Sequence, residues 1–215
     1  MTKRIAHWFS ILTHPLFVPL AMGFILVFAS QGGMWLPIKG KLMLMALIAI
    51  FSVVFPSGWI FMLHRFGFVH SLYMEQREER TLPLLVMLLS SALLTFMLFV
   101  KLKISFMIST SFLSITVLLL LANIMNAYHK ISLHALGLGG LLGILLAIRK
   151  VQESGTESLS WWIILTTLLL GACMTSRLIL KAHNQQEVYG GAVIGIIGGY
   201  LASIFGWWLV NNLII

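Results

Sequence analysis

The stretch "VYGGAVIGIIGGYLASIFGWWLV" (188–210) decides the fold, because it runs for 23 residues without a charged side chain. A helix needs roughly 20 mostly apolar residues to cross a bilayer, so this stretch predicts a membrane-spanning helix. Glycines recur in this stretch at four-residue spacing, at Gly191, Gly195 and Gly199. An earlier apolar window has the same spacing, at Gly139 and Gly143. Such spacing lets helix backbones approach closely in lipid. We expect tight packing within one bundle; a homodimer through the glycine-rich faces is the alternative.

The rest of the chain has the same character. Of its 215 residues, 60% are hydrophobic and only 9% are charged, whereas a soluble domain carries about 25% charged residues. Apolar windows long enough to span lie near 15–36, 42–63, 82–100, 105–127, 133–149, 160–180 and 188–210. Pro56 is expected to bend the second window. The sequence therefore predicts an all-α integral membrane protein, a single bundle of six to seven helices formed by one domain, 1–215.

The formal net charge is +8, with 14 basic residues against six acidic residues, all of them Glu. Most basic residues flank apolar windows, where their side chains can reach lipid headgroups. This placement argues against nucleic acid and favours membrane lipids as partners. The single cysteine, Cys173, excludes an internal disulfide.

If all seven windows cross the bilayer, the polar segments 64–81, 128–133 and 178–187 emerge on the same face. They carry most of the residues capable of chemistry, in "MEQREERTLP" (74–83), "YHKISLH" (128–134) and "SRLILKAH" (176–183). Segments that are distant in sequence therefore meet at one end of the bundle. The sequence predicts a polar site there.

The third of these segments suggests phosphate chemistry. His183 and Glu187 are four residues apart, so on a helix starting near 182 they would share a face. A carboxylate bound to one imidazole nitrogen makes the other nitrogen a better nucleophile or base. A turn between Leu180 and His183 would bring the Arg177 guanidinium to the same anion, and Ser176 would add a hydroxyl donor.

The other two segments complete the predicted site. Ser132 is placed to cap the fifth helix, with His134 in its first turn as a general acid opposite His183. Lys130 would add positive charge. Arg77 and Arg80, three residues apart, would lie on one side of a helical turn.

These segments resemble the motifs of the type 2 phosphatidic acid phosphatase superfamily over residues 74–199. "SRLILKAHNQQE" (176–187) follows the third motif, S-R-x5-H-x3-D, with Glu187 in place of Asp. "ISLH" (131–134) keeps the Ser and His of P-S-G-H, with Ile131 and Leu133 at the other positions. "QREERTLP" (76–83) offers Arg77 and Arg80 for the first motif, K-x6-R-P, without its lysine.

The resemblance implies a metal-independent lipid phosphatase with a catalytic core at 74–199, acting through phosphohistidine on a phosphomonoester or diphosphate. His183 would be the nucleophile, Glu187 its orienting partner and His134 the proton donor. Arg177 with Arg80 or Arg77 would bind phosphoryl oxygens. No cofactor is implied, and polyprenyl diphosphate and phosphatidic acid are both compatible substrates.

Other interpretations stay open. In one alternative the chain is a catalytically degenerate relative that binds phospholipid, and in another it is a membrane transporter. The segment 75–80 would be a solvated loop, and His183 with Glu187 a structural pair. A metal site formed by His134, His183 and Glu187 is disfavoured, because the sequence has no H-E-x-x-H-like helix. The remaining histidines are interpreted as interfacial: His7, His14, His64, His70 and His129.

The orientation follows from the charged residues outside the site. Once Arg77, Arg80, Lys130 and Arg177 are set aside, four bases remain on the site's face and six on the other. Because bases are enriched on the cytoplasmic side, we expect the site to face away from the cytoplasm. The expected location is a bacterial inner membrane.

Overall fold

The computed structural model describes residues 1–30, 33, 35–68, 78–151 and 157–213. These residues form helices and connecting turns, and no strand occurs among them. The α-helices are α1 (Lys3–Leu12), α2 (Val18–Phe28), α3 (Ile38–Ala49), α4 (Phe55–Arg65), α5 (Thr81–Phe96), α6 (Phe106–Tyr128), α7 (Leu133–Val151), α8 (Glu157–Ile179) and α9 (Gln185–Leu213). Short 3₁₀ turns lie at Pro15–Phe17 and Glu78–Arg80, and π-helical turns lie at Ile50–Val54 and Met97–Lys101.

Seven segments of the described chain are long and apolar enough to cross a membrane. They are Lys3–Phe28, Ile38–Arg65, Glu78–Lys101, Phe106–Tyr128, Leu133–Val151, Leu159–Ile179 and Gln185–Asn212. Many large apolar side chains on their outer faces are exposed, among them Leu89, Leu168 and Leu201. Lipid must cover such a surface, so the chain is an all-α integral membrane protein.

The first span differs from the predicted window, because it begins at Lys3 and not near residue 15. The N-terminal residues form α1, which packs against α8. A break at Thr13–His14 then leads through Pro15 into α2. Hydropathy alone misses α1, since Lys3, Arg4 and His7 lower the mean hydropathy of this segment.

The most extensive helix contact in the described chain is the α7–α9 seam, made by Gly139, Gly143, Gly191, Gly195 and Gly199. A Cβ added at Gly143 would lie only 2.1 Å from the carbonyl oxygen of Ile196, and one at Gly195 only 2.4 Å from that of Leu136. Only glycine permits this backbone approach. The predicted tight packing within the bundle is confirmed, and a homodimer would need a surface other than this seam.

The contacts of the seam also set the direction of the two helices. Gly191 lies against the carbonyl of Ser132, Gly195 against that of Leu136, and Gly199 against that of Gly140. From one contact to the next, the residue number rises in α7 and in α9 alike, so the two helices run parallel. Their N-termini, and the residues just before them, therefore meet at the same end of the bundle.

Pro56, expected to bend the second span, lies just after a change in its helical hydrogen-bonding pattern. The π-helical turn Ile50–Val54 comes directly before α4, whose second residue is Pro56. Proline has no N–H to donate back along the helix, so it leaves a carbonyl without its helical partner. The hydroxyl of Ser90, on α5, donates to the carbonyl oxygen of Phe51 in this turn. That bond compensates the interrupted backbone and ties α5 to the second span.

Candidate active site

The N-terminus of α9 holds the pair predicted from the third polar segment. His183 Nδ1 lies 2.5 Å from Glu187 Oε2, and the His183 side chain is almost fully buried. The helix begins at Gln185 and not near 182, because Asn184 caps it by accepting from the Glu187 N–H at 2.9 Å. Asn184 Nδ2 also donates to Glu187 Oε1 at 3.0 Å. Both carboxylate oxygens are therefore fixed, one by His183 and one by the cap.

The predicted turn between α8 and α9 is present. Lys181 adopts a left-handed conformation with φ of 53°, and the Ala182 N–H donates to the carbonyl of Arg177 at 3.2 Å. The turn leaves Arg177 in the last turn of α8, where its Nη1 donates to Ser10 Oγ at 2.6 Å. Its Nε is buried without a hydrogen-bond partner in the described chain. Such an orphan donor is costly, and anion sites are one place where it occurs.

The N-terminus of α7 brings the second histidine. Ser132 caps this helix, accepting from the Ala135 N–H at 3.5 Å, as the sequence predicts. Its own N–H donates to the carbonyl of Glu187 at 3.0 Å, which joins the starts of α7 and α9. His134 Nε2 lies 3.2 Å from the carbonyl oxygen of Ser10. Because a carbonyl only accepts, Nε2 carries a proton and Nδ1 is the nitrogen left for other partners.

The first polar segment contributes Arg80, which is 8% exposed although it carries a charge. Its Nη1 donates to the carbonyl of Ile131 at 3.4 Å, so the guanidinium is held beside the start of α7. Arg77 lies outside the described residues, as do all of residues 69–77 in the predicted loop 64–81.

These elements enclose a cavity of about 120 Å³, called here the cationic cavity. Its polar lining is His14, Arg80, His134, Arg177 and His183. Its apolar lining is Pro15, Leu16, Ile60, Pro83, Leu84, Met87 and Leu133. None of the described residues that line it is Asp or Glu, so the cavity presents positive charge and N–H donors to its contents.

An apolar slot of about 50 Å³ lies next to the cationic cavity. The two share part of their lining, Pro15, Leu84, Met87 and Leu133. Beyond these the slot is bounded only by apolar side chains and Gly137. The cationic cavity therefore has a polar wall and an apolar wall that continues into the bundle.

Four of the predicted site residues line the cationic cavity: Arg80, His134, Arg177 and His183. Glu187 lies behind His183 and contacts it directly. Three others lie elsewhere. Ser132 caps α7 and is fully buried, Ser176 is buried with its hydroxyl donating to the carbonyl of Cys173 at 2.7 Å, and Lys130 lines a separate groove beside Glu187.

Ser10 and His14 are the residues that sequence reasoning missed. Ser10 accepts from Arg177 through its hydroxyl and from His134 through its carbonyl. His14 lines the cationic cavity and packs edge-on against His134, with ring centroids 5.3 Å apart. The structure thus gives His14 a place in the cavity lining, which its interpretation as an interfacial residue does not include. The dipeptide His14–Pro15 is a helix-breaking signal that could have indicated the break between α1 and α2.

The protonation of His183 follows from its surroundings. Burial lowers its pKa below the ordinary value of 6.5; the bond to Glu187 opposes this, and the charges of Arg177 and Arg80 lower it further. His183 is therefore neutral at pH 7. With Nδ1–H donated to Glu187, the lone pair of the neutral ring is on Nε2.

Within the described residues, no group of three or more His, Cys, Asp or Glu side chains is arranged to hold a metal ion. Comparison of the chain with protein-family models, curated proteins and solved structures finds no match.

Proposed function

We propose that the chain is a membrane lipid phosphatase of the type 2 phosphatidic acid phosphatase kind, which forms a phosphohistidine intermediate without a metal. The observation that carries this proposal is the convergence of two guanidinium groups and three imidazoles on one cavity whose described lining has no carboxylate. Several fixed cations and N–H donors suit the oxygens of a phosphoryl group, and they would neutralise the charge on those oxygens during transfer.

In the first step, His183 Nε2 attacks phosphorus and forms an N–P bond. The bond from phosphorus to the lipid oxygen breaks, and that oxygen takes a proton from Nδ1 of a protonated His134. The Ser10 carbonyl, 3.2 Å from His134 Nε2, orients the ring, and the negative charge of the bound phosphate favours the cationic form of His134 during the step. Glu187 holds His183 by its Nδ1–H, 2.5 Å from Oε2, and stabilises the positive charge that develops on the imidazole.

In the second step, water attacks the phosphohistidine. The now neutral His134 accepts the proton from that water at Nδ1, the N–P bond breaks and the electron pair returns to His183 Nε2. Arg177 and Arg80 would bind the phosphoryl oxygens in both steps, since they are the cations that line the cavity. The products are inorganic phosphate and the lipid with one phosphoryl group fewer, and His134 is again protonated.

The apolar side of the site supports a lipid substrate. The slot next to the cationic cavity shares Leu84, Met87 and Leu133 with it, so a hydrocarbon chain attached to a bound phosphate has an apolar path into the bundle. A free sugar phosphate would leave this surface uncovered. The chemistry fits a monophosphate or a diphosphate equally.

The test is phosphate release by the purified full-length chain from a panel of polyprenyl and glycerolipid phosphates, with EDTA present. The proposal predicts release from at least one lipid, and loss of release in His183→Ala. A divalent-metal requirement, or release that persists in His183→Ala, would contradict the mechanism. Lipid binding or lipid flux without release would favour the binding protein or the transporter.

We further propose that the site opens outside the cytoplasm of a bacterial inner membrane. The opposite face carries the bases Lys39, Lys41, Lys101, Lys103, Arg149 and Lys150. Cysteine labelling in intact cells tests this, because the native Cys173 is buried. A membrane-impermeant maleimide should label Lys181→Cys, at the site end, and spare Lys103→Cys; both positions are exposed. The reverse pattern would place the site in the cytoplasm.

A further inference from the structure

His14 is a third imidazole at the proposed phosphate site, and it comes from none of the three polar segments. It is half-buried at the break between α1 and α2. It lines the cationic cavity together with Arg177 and His183, and its ring meets that of His134 at an interplanar angle of 80°. The break places it there, because a continuous helix through Pro15 is excluded by the proline ring.

A hydrogen bond fixes the tautomer of His14. The N–H of Leu16 lies 3.3 Å from His14 Nδ1 and donates to it. An imidazole nitrogen that accepts has no proton, so the ring is neutral and its only N–H is on Nε2. His14 Nε2 has no hydrogen-bond partner in the described part of the chain. The ring thus offers one unused donor at the edge of the cavity.

We propose that His14 binds a phosphoryl oxygen of the substrate through its Nε2–H, as a neutral donor beside the cationic arginines. This inference rests on the proposed function. A neutral ring is favoured here for a physical reason, because two cations, Arg177 and Arg80, already line the same partly buried cavity. A further cation would add repulsion, whereas a neutral N–H adds a hydrogen bond to the anion without it.

Two substitutions separate this role from a purely structural one. His14→Asn places Oδ1 where Nδ1 was, so it can still accept from the Leu16 N–H and cap the turn Pro15–Phe17, but it removes the distal donor. His14→Gln places an amide N–H near the former Nε2. His7→Asn is the matched control, since His7 is an exposed histidine of α1.

The measurement is calorimetric titration of the detergent-solubilised full-length chain with inorganic phosphate, beside lipid phosphate turnover. Hydrogen bonds to charged groups contribute enough that His14→Asn should weaken phosphate binding roughly ten- to hundredfold, with His14→Gln within about threefold of wild type. His7→Asn should bind as wild type does. Circular dichroism on each variant checks that the bundle is folded.

Phosphate affinity at the wild-type level in His14→Asn would overturn the inference, because the retained cap would then be all that His14 supplies. An equal loss in His14→Gln would overturn it as well, as would a wild type that binds no phosphate. The proposed function fails separately. If phosphate binds with the predicted variant pattern but no lipid phosphate is hydrolysed, the donor role of His14 stands and the phosphatase does not.

Discussion

The α7–α9 seam is made of backbone atoms, whereas the cationic cavity at its site end is made of long polar side chains. At the seam, glycines bring carbonyls so close that no Cβ fits. At the cavity, guanidinium and imidazole groups are partly desolvated, and Arg177 Nε has no partner in the described chain. Close packing stabilises the bundle, while buried unpaired polar groups cost stability. The seam thus supports a site that would not be stable alone.

The two regions meet at one hydrogen bond. The N–H of Ser132, just before α7, donates to the carbonyl of Glu187 in the first turn of α9 at 3.0 Å. Because α7 and α9 run parallel along the seam, His134 and His183 approach the cavity from adjacent helix starts. The comparison therefore predicts that seam mutations reduce stability, and that cavity mutations reduce activity.

The largest expected effect is on the seam. In Gly195→Ala the new Cβ would lie 2.4 Å from the Leu136 carbonyl oxygen, so we expect a loss of stability of about 3 kcal/mol. Gly190→Ala is the matched control in the same helix, since nothing lies within 4 Å of its added Cβ. Thermal unfolding in detergent measures both. Equal stability of the two variants would show that the helices can separate without cost.

The next effect tests the cavity. Glu187→Gln removes the charge that stabilises the His183 imidazole, so turnover should fall by roughly 100-fold while phosphate binding persists. Its loss of stability should be smaller than that of Gly195→Ala. Gln185→Ala, an exposed change in the same helical turn, is the control. The turnover rate of each variant is measured as phosphate release. A wild-type turnover rate in Glu187→Gln would refute the role assigned to the carboxylate.

A smaller effect concerns pH. Arg80 lowers the pKa of His183, so Arg80→Gln should raise it and move the acid limb of the rate profile to higher pH. Since the folded pKa lies below the unfolded value, wild-type stability should rise with pH up to about 6.5 and the slope should weaken in Arg80→Gln. Nitrogen NMR of labelled histidines gives the pKa directly. Arg65→Gln, at an exposed position, should leave it unchanged; an unshifted His183 in Arg80→Gln would contradict the assignment.

The smallest effect is at the start of α7. Ser132→Ala removes the side-chain cap at 3.5 Å and should cost about 1 kcal/mol of stability. Ser105→Ala is its control, because Ser105 precedes α6 and makes no capping hydrogen bond through its side chain. Thermal unfolding of both variants should separate them. If the two variants unfold at the same temperature, the side-chain cap of Ser132 does not contribute to stability. The backbone hydrogen bond between Ser132 and Glu187 would then be the stabilising contact that Ser132 makes at the start of α7.

The seam was predictable from the sequence, because glycines at four-residue spacing indicate where two helix backbones can come into contact. The spans were predictable because the length and apolarity of a segment can be read from its own residues. Arg80, His134, Arg177 and His183 were predictable because window parity places their segments on one face, and all four line one cavity. These features need no knowledge of tertiary contacts.

What the sequence did not reveal depends on tertiary contacts. Ser10 reaches the site because α1 packs on α8, a contact that no pattern within α1 indicates. His14–Pro15 signals a helix break, but the sequence does not show that the break lies at the site. The start of α9 was placed three residues early, because Asn184 was not recognised as its cap. Ser176 was predicted to bind phosphate, yet its hydroxyl is bonded within its own helix.

The most direct test of the central claim is to trap the intermediate. The full-length chain is quenched at alkaline pH during turnover of the lipid phosphate that it hydrolyses, and phosphorus NMR with peptide mapping locates the phosphoryl group. We expect an acid-labile, alkali-stable phosphoryl group on His183 that is absent from His183→Ala. If His134→Ala slows the breakdown of the phosphohistidine more than its formation, the phosphorylated protein should accumulate in that variant. Phosphate release with no phosphoryl group on the protein, or with the group on another residue, would contradict it.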